Sequence, residues 1–494
     1  MSILVAVLGA CIGSFLNVVI YRLPRGLSIS RPRRSFCPSC EHMIAGYDNI
    51  PVLSYLLLRG RCRHCGASIS IQYPIVELAA ALLFVATYDV FVVGRWRLGV
   101  GHWPQDGALI AAHWILWAGL LAVAVMDIEA YHLDIRVTWV VAAAGILCHM
   151  LWTPESSAGW PRPMPATAAG SVAATIALGL TVLGAFARAR RQSRASGGEA
   201  DTGGAAADES ERGHNRNAGD SDGGTPVSAP VSESETKGGT VTARSGSGGA
   251  GRRLARFLVI GFGTAAIVGY ICWMNVAPFQ DPRIPPTVSS IATVRVAAVV
   301  VVLMVLIIAA SSVPRAADQE IIDTIEAESV SARRLALIES AWLSPAAAAG
   351  VAAFLAWGRL WPVSPEGGAT VFDWAPLGQW RPLLGLATAL SGWLIAGALG
   401  WMVRIVFTLA MGKEAFGVGD IHILAAAGAV IGWAAAVMGF FLSAVLALVG
   451  VAVFALRRQS RAIQFGPWLG LGLFVAAAAQ DRIIDAMHLE WLLR

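Results

Sequence analysis

The chain has 494 residues, of which 56% are apolar and only 14% charged, against about 25% charged in soluble domains. With a mean hydropathy of +0.62, a soluble enzyme built on a parallel sheet is excluded, and lipid excludes open β architecture because unpaired backbone groups find no partner there. The net charge is +5, and the basic residues lie in short segments beside apolar runs. Such placement reads as membrane orientation rather than nucleic-acid binding.

The apolar runs are continuous over about 18–22 residues and lack the period-2 alternation of a barrel strand. The expected fold is therefore an all-α polytopic membrane protein with about twelve transmembrane helices. In chain order the predicted spans are 2–21, 75–93, 108–127, 135–152, 166–187, 255–274, 292–311, 342–361, 382–409, 421–434, 436–456 and 466–484. Span 421–434 is short for a crossing, and 382–409 is long enough to tilt. At the start of the chain, Leu8-Gly9-Ala10-Cys11 is similar to a lipoprotein cleavage site. The apolar stretch continues past Cys11 and no basic residue precedes it, so a retained first helix is expected. Basic clusters at Arg22 to Arg34, Arg188 to Arg191, Arg252-Arg253, Arg333-Arg334 and Arg457 to Arg461 all fall on the cytoplasmic side if the first helix starts outside. Arg95 and Arg97 break the rule.

The expected organisation follows. Residues 1–94 hold the first helix, a cytoplasmic four-cysteine loop and the second helix. Residues 95–152 form the first half of a catalytic core, 153–187 an inserted helix, 188–253 a cytoplasmic linker, 254–380 further inserted helices and 381–494 the second half of the core. The linker is rich in Gly, Ser, Ala, Asp and Glu, contains no Phe, Trp or Tyr, and is expected to be disordered. The stretch 313–340 carries mixed charge and reads as an interfacial or cytoplasmic helix.

Seven cysteines are present, and four form Cys37-Pro-Ser-Cys40 and Cys62-Arg-His-Cys65 with 21 residues between the pairs. Two such knuckles can present four thiolates to one tetrahedral Zn²⁺. A reducing cytoplasmic side disfavours disulfides. The competing use is a redox dithiol. Four thiolates leave no position for a catalytic water, so the zinc is expected to be structural. Cys11, Cys148 and Cys272 lie in apolar runs and read as packing residues.

A bare carboxylate at membrane depth costs several kcal/mol and is tolerated chiefly for function or with a partner. Asp127 ends the run Leu116 to Met126, and Asp420 ends Gly417-Val418-Gly419-Asp420 just before an apolar helix. Six predicted crossings separate them, an even number, so both can face the cytoplasmic side. Two carboxyls about 3 Å apart cannot both ionise. One then holds a proton while the other activates water against a peptide carbonyl. Gly417 and Gly419 let the backbone approach a substrate strand. The plain alternatives are an interfacial residue for Asp127 and a helix cap for Asp420.

At this point the chain resembles the type IV prepilin leader peptidase family. Gly13-Ser14-Phe15-Leu16-Asn17-Val18-Val19-Ile20-Tyr21-Arg22-Leu23-Pro24 is similar to its opening segment. Cys37 through Asn49-Ile50-Pro51-Val52-Leu53-Ser54-Tyr55 to Cys62-Arg63-His64-Cys65-Gly66 resembles its cytoplasmic cysteine domain, and Gln72 to Leu78 the exit into the second helix. Gly412 to Asp420 resembles its GxGD segment, and Phe465-Gly466-Pro467 its last-helix motif. The resemblance covers about residues 5–152 and 390–485. It implies an aspartic endopeptidase of the bacterial inner membrane that cleaves the leader of prepilins or pseudopilins after a Gly at the cytoplasmic face. Many such enzymes also N-methylate the new N-terminus with S-adenosylmethionine. Carried over, the catalytic pair is Asp127 and Asp420, and the zinc ligands are Cys37, Cys40, Cys62 and Cys65.

The chain also departs from the family. A Leu-Pro-Asp usually follows the first catalytic Asp, where this sequence has Leu133-Asp134-Ile135, which makes Asp134 a further candidate. The usual Lys two positions after the second Asp is His422. The two acids are 293 positions apart because a linker and about four helices are inserted between them. Glu77, at the mouth of the second helix, is a candidate lining residue for a methyl-donor site or a carboxylate paired with a loop arginine. No glycine-rich nucleotide fingerprint follows a strand, so the S-adenosylmethionine expectation rests on the resemblance alone. The competing functional class is a non-catalytic zinc-loop scaffold of a pilus or secretion system. A broader intramembrane protease is a further alternative that leaves the Gly13–Pro24 and cysteine segments unexplained.

Overall fold

The computed structural model describes residues 1–32, 34–94, 105–130, 133–152, 165–207, 263–270, 290–311, 332–360, 381–456 and 464–486. Its helices are α1 (Ser2–Arg22), α2 (Leu53–Leu57), α3 (Gln72–Tyr88), α4 (Gly107–Ala130), α5 (Ile135–Leu151), α6 (Pro165–Ala207) and α7 (263–270). They are followed by α8 (Ser290–Ser311), α9 (Ala332–Leu360), α10 (Arg381–Met411), α11 (Val418–Ile431), α12 (Trp433–Leu456) and α13 (Gly466–Ala486). Among the described residues seven helices are long and apolar enough to cross a membrane, and Ile135–Leu151, Arg295–Ala310 and Val418–Ile431 are shorter apolar helices. The helical membrane architecture matches the composition argument, while among the described residues seven helices, against twelve expected, qualify as crossings by length and composition. Arg95, Arg97 and linker residues 208–253 lie outside the described residues.

The chain divides into a unit of residues 1–178 with 256–494 and a second unit of 179–255. In the second unit the described part is the end of α6, which runs to Ala207, past residue 188 where the linker was expected to begin. The Ala/Arg-rich stretch Ala185 to Ala195 favours the first part of the extension, because both residue types are strong helix formers, whereas the four glycines between 196 and 207 do not favour the rest. Of the mixed-charge stretch 313–340, residues 332–340 are the start of α9, and 313–331 lie outside the described residues.

At the centre of the first unit is α11, which packs against α4, α5, α10, α12 and α13. All but one of the residues from Ile421 to Ile431 are buried. A helix of 14 residues spans only about 21 Å, less than a hydrocarbon core of about 30 Å. Enclosure by other helices makes that length tolerable, since its ends then open onto protein rather than lipid. Gly432, at φ 82°, stops α11 and donates to the Gly428 carbonyl at 3.1 Å, which turns the chain into α12.

Close backbone approach does most of the packing around α11. A Cβ on Gly392 of α10 falls 2.0 Å from the Gly428 oxygen, and one on Gly428 falls 2.2 Å from the Gly392 oxygen. Without a hydrophobic driving force between helices in lipid, such contacts supply the van der Waals attraction. On the other flank, α1 packs along α3, where Gly13 lies against the Glu77 backbone. The inserted helices α7 and α8 join the core through a buried ion pair. Arg295 donates from Nε and Nη2 to the two oxygens of Asp89, each at 2.8 Å, and the Tyr270 hydroxyl donates to the same carboxylate at 2.8 Å. Asp89 opens the π-helical turn Asp89–Val93 at the end of α3. Gly392→Val is expected to destabilise the bundle by at least about 1–3 kcal/mol, read as a lowered thermal unfolding midpoint in detergent.

Candidate active site

The cysteine loop is built as a repeat. Cys37 N–H donates to the His42 carbonyl at 3.0 Å, and Cys62 N–H donates to that of Ala67 at 2.8 Å. Glu41 N–H returns to Cys37 at 2.8 Å, as Gly66 N–H returns to Cys62 at 3.0 Å. An isolated bridge closes each turn, Phe36 with Met43 and Arg61 with Ser68. The residue after each second cysteine has positive φ, 54° at Glu41 and 69° at Gly66, a conformation that favours glycine. The two turns bring all four Sγ atoms within 4.8 Å of one another. Cys37 Sγ and Cys65 Sγ are 3.9 Å apart, close to the edge of about 3.8 Å set by tetrahedral Zn–S bonds of ~2.3 Å, and far from a disulfide. The donor set and spacing therefore fit Zn²⁺.

Ties to the membrane helices hold the module in place. Arg22, buried at the end of α1, donates Nη1 to the carbonyls of Ser28, Ile29 and Pro32 at 3.0–3.1 Å. Arg63 grips Asp48 with two bonds of 2.7 and 2.6 Å and holds its carboxyl below the usual carboxylate range. Glu77, buried on α3, accepts from Val52 N–H at 2.7 Å. That bond, rather than an arginine partner, occupies the carboxylate. A cavity of about 370 Å³ lies between the module and the ends of α1 and α3, lined among others by Ser14, Asn17, Tyr73 and Glu77.

The second feature is formed by three helix ends. Asp127 lies in the last turn of α4, Asp420 in the first turn of α11, and Gly466 opens α13. The direction in which a side chain would leave Gly466 ends 2.8 Å from Asp127 Oδ2 and 3.6 Å from Asp420 Oδ1. Both carboxylates, half-buried, thus converge on one glycine, whose backbone N–H also faces Asp127. Gly417 stands beside the other Asp420 oxygen, where a Cβ would be 3.3 Å from Oδ2, and Gly419 packs under Leu133, where a Cβ would be 2.8 Å from Cδ1.

The remaining candidates have other surroundings. Asp134 caps α5 by accepting from Arg136 N–H at 2.9 Å and pairs with the Arg136 guanidinium at 2.6–3.1 Å. His422 is half-buried with its ring 6.2 Å from that of Trp139. Gly466 belongs to the segment Phe465-Gly466-Pro467, in which the sequence assigns it no role. Its need for a missing side chain emerges only once α4, α11 and α13 are packed.

Comparison with known proteins agrees with the architecture of the first segment. Residues 7–91 match the model of the bacterial peptidase A24 N-terminal domain. A prepilin leader peptidase/N-methyltransferase of Myxococcus xanthus is 59% identical over 85 residues, 17% of this chain and 25% of the relative. Over residues 7–91 the chain is similar to the prepilin leader peptidases. A type 4 prepilin-like proteins leader peptide-processing enzyme of Escherichia coli is 37% identical over 174 residues, 32% of this chain and 59% of the relative. A prepilin leader peptidase/N-methyltransferase of Vibrio cholerae is 38% identical over 122 residues, 23% of this chain and 45% of the relative. The chain thus spans between a quarter and about three-fifths of these relatives' length. No solved structure matches it.

Two outcomes are expected from this geometry. Purified protein should carry one zinc per chain by elemental analysis, and Cys40→Ser should lower that content with loss of the loop's fold. Gly466→Ala should leave the unfolding midpoint nearly unchanged but place a methyl against Asp127, which lowers any activity that needs both acids by at least ~100-fold.

Proposed function

We propose that the protein is an aspartic endopeptidase of the bacterial inner membrane that removes the leader of prepilins or pseudopilins at the cytoplasmic face. The observation that carries this reading is the convergence of Asp127 and Asp420 on Gly466. Two carboxyls facing one small space share a proton more readily than they both ionise. The ionised one takes a proton from a water molecule as its oxygen attacks the scissile carbonyl. The protonated one donates to the carbonyl oxygen, which gives a gem-diol. As the C–N bond breaks, a proton passes to the leaving amine and the carboxyl product regains its carbonyl.

Gly417, exposed beside Asp420, leaves room for an extended peptide, whereas the space over Gly419 is taken by Leu133. The dyad lies at helix ends, where a segment can enter from an aqueous side while its apolar part remains in lipid. In this reading the zinc module is structural. All four ligands are thiolates, so the ion supplies folding energy rather than a reactive water.

A second activity, N-methylation of the new amino terminus, is supported by the names of the relatives. S-adenosylmethionine would supply the methyl group. The cavity bordered by Ser14, Asn17, Tyr73 and Glu77 lies within the range of ligand pockets, ~300–1,000 Å³, and is the place we assign to it. Its Glu77 carboxylate supplies negative charge for a cationic donor.

The deciding experiment is cleavage of a peptide with a basic leader followed by Gly-Phe, using detergent-purified protein. Wild type should cleave it, whereas Asp127→Asn and Asp420→Asn should each lose at least ~1,000-fold in kcat, in line with loss of a group that acts only as part of a unit. Cleavage should follow a bell-shaped pH profile, because the dyad works with one proton and fails with two or none. Intact zinc-loaded protein that cleaves nothing, or aspartate variants that still cleave, would falsify the aspartic reading. Calorimetric titration of S-adenosylmethionine into Asp127→Asn protein should show binding with the peptidase disabled, and silence there removes the methylation half.

A further inference from the structure

The loop that delivers Asp420 is held from outside the catalytic core. Arg404 lies on α10 and is almost fully buried, with a relative exposure of 4%. Its Nε donates to Glu339 Oε2 at 3.0 Å and its Nη2 to Glu339 Oε1 at 3.0 Å. Its Nη1 donates to the Phe416 carbonyl at 2.7 Å and also pairs with Glu414. One guanidinium therefore joins α9, which carries Glu339, to two residues of the segment Gly412–Gly417 just before Asp420. Arg333, also on α9, adds a second hold by donating Nε to the Leu409 carbonyl at 3.2 Å. The loop turns at Gly412, with φ 74°, and Ala415 N–H donates to Thr408 Oγ1 at 3.3 Å.

The connection reaches both sides of the site. Phe416 packs edge-on against Phe465, with centroids 5.7 Å apart, and Phe465 directly precedes Gly466. A shift of the Phe416 carbonyl is thus felt at Asp420 through the chain and at Gly466 through the rings. Glu339 belongs to the inserted region, which the sequence left without a chemical role. A guanidinium buried in lipid-embedded protein needs its partners, so α9 cannot leave Arg404 without forcing the loop to rearrange.

We propose that the inserted helix α9 is a strut for the catalytic loop, with Glu339 and Arg404 as positioning residues that set Asp420 against Asp127. The proposal rests on the peptidase reading above and names what holds its second acid in place. Neither residue touches substrate. Their effect is on the geometry of the reacting carboxylates, where displacements of about 1 Å can cost ~100-fold in rate.

The test uses the full chain in detergent, with wild type, Glu339→Gln, Glu339→Asp and Asp420→Asn compared by peptide cleavage, thermal unfolding and amide hydrogen exchange. Glu339→Gln should lower kcat about tenfold with KM unchanged, speed exchange of the amides at 412–418, and leave the unfolding midpoint in place. Glu339→Asp, which keeps the charge, should recover most of both effects. Wild-type kcat in Glu339→Gln overturns the proposal, as does a lowered kcat with wild-type exchange in the loop. A fall in kcat that accompanies a lowered unfolding midpoint, with no recovery in Glu339→Asp, also overturns it, because the helix then acts only on stability. Asp420→Asn separates the two levels of the argument. If that variant still cleaves, the aspartic reading fails; if it is inactive while Glu339→Gln behaves as wild type, only the strut fails.

Discussion

Helices in lipid gain nothing from hiding apolar side chains from one another, so they must touch closely to associate at all. In this protein the requirement is met by glycine and alanine surfaces. The pairing of Gly392 with Gly428 brings α10 and α11 into backbone contact, and Gly439 and Gly472 do the same for α12 and α13. The short α11 can then be enclosed on every side, with Leu424, Ala427, Ala429, Val430 and Ile431 fully buried. Its first turn, with Asp420, is held at a fixed place relative to α4 and α13. Position in this bundle is set by shape, and shape here depends on the absence of side chains.

The dyad is a consequence of that packing. Asp127, Asp420 and Gly466 come from the end of one helix and the starts of two others. They meet because α4, α11 and α13 pack on one another. A carboxylate at the last turn of a membrane helix is unfavourable by itself. Two of them around a glycine form a small polar space in which a proton can be shared, and that space is what the proposed chemistry uses.

Polar contacts of a second kind secure the inserted helices. Asp89 with Arg295, and Arg404 with Glu339, are ion pairs between segments far apart in the chain, joined by the Tyr270 hydroxyl on Asp89 and by Glu414 on Arg404. Such pairs are weak evidence for stability, because desolvation offsets much of their attraction, but breaking one leaves a buried charge exposed to lipid or apolar protein. Their value here is directional. Arginine presents its donors in a rigid fork, so each pair fixes the rotation of one helix against another as well as its distance.

How much could be read in advance depended on the range of the interaction. The cysteine module was legible because each half is a turn of a few residues. The spacing alone implies two knuckles, and the equivalent hydrogen bonds at Cys37 and Cys62 follow from it. The helices were legible from the length of the apolar runs, although α6 runs past the expected boundary, beginning with an Ala/Arg-rich stretch that favours helix. Asp127 and Asp420 could be singled out since each ends an apolar run, a local cost visible in one dimension. Their meeting at Gly466, the bond that commits Glu77 to Val52, the capping role of Asp134 and the grip of Glu339 on Arg404 could not. Each joins residues through the orientation of packed helices or through a cap geometry that composition does not carry. Sequence alone determined which groups lipid would make costly. Tertiary packing decided which of them face one another, because between helices that distance is set by side-chain volume at contacts tens to hundreds of positions apart.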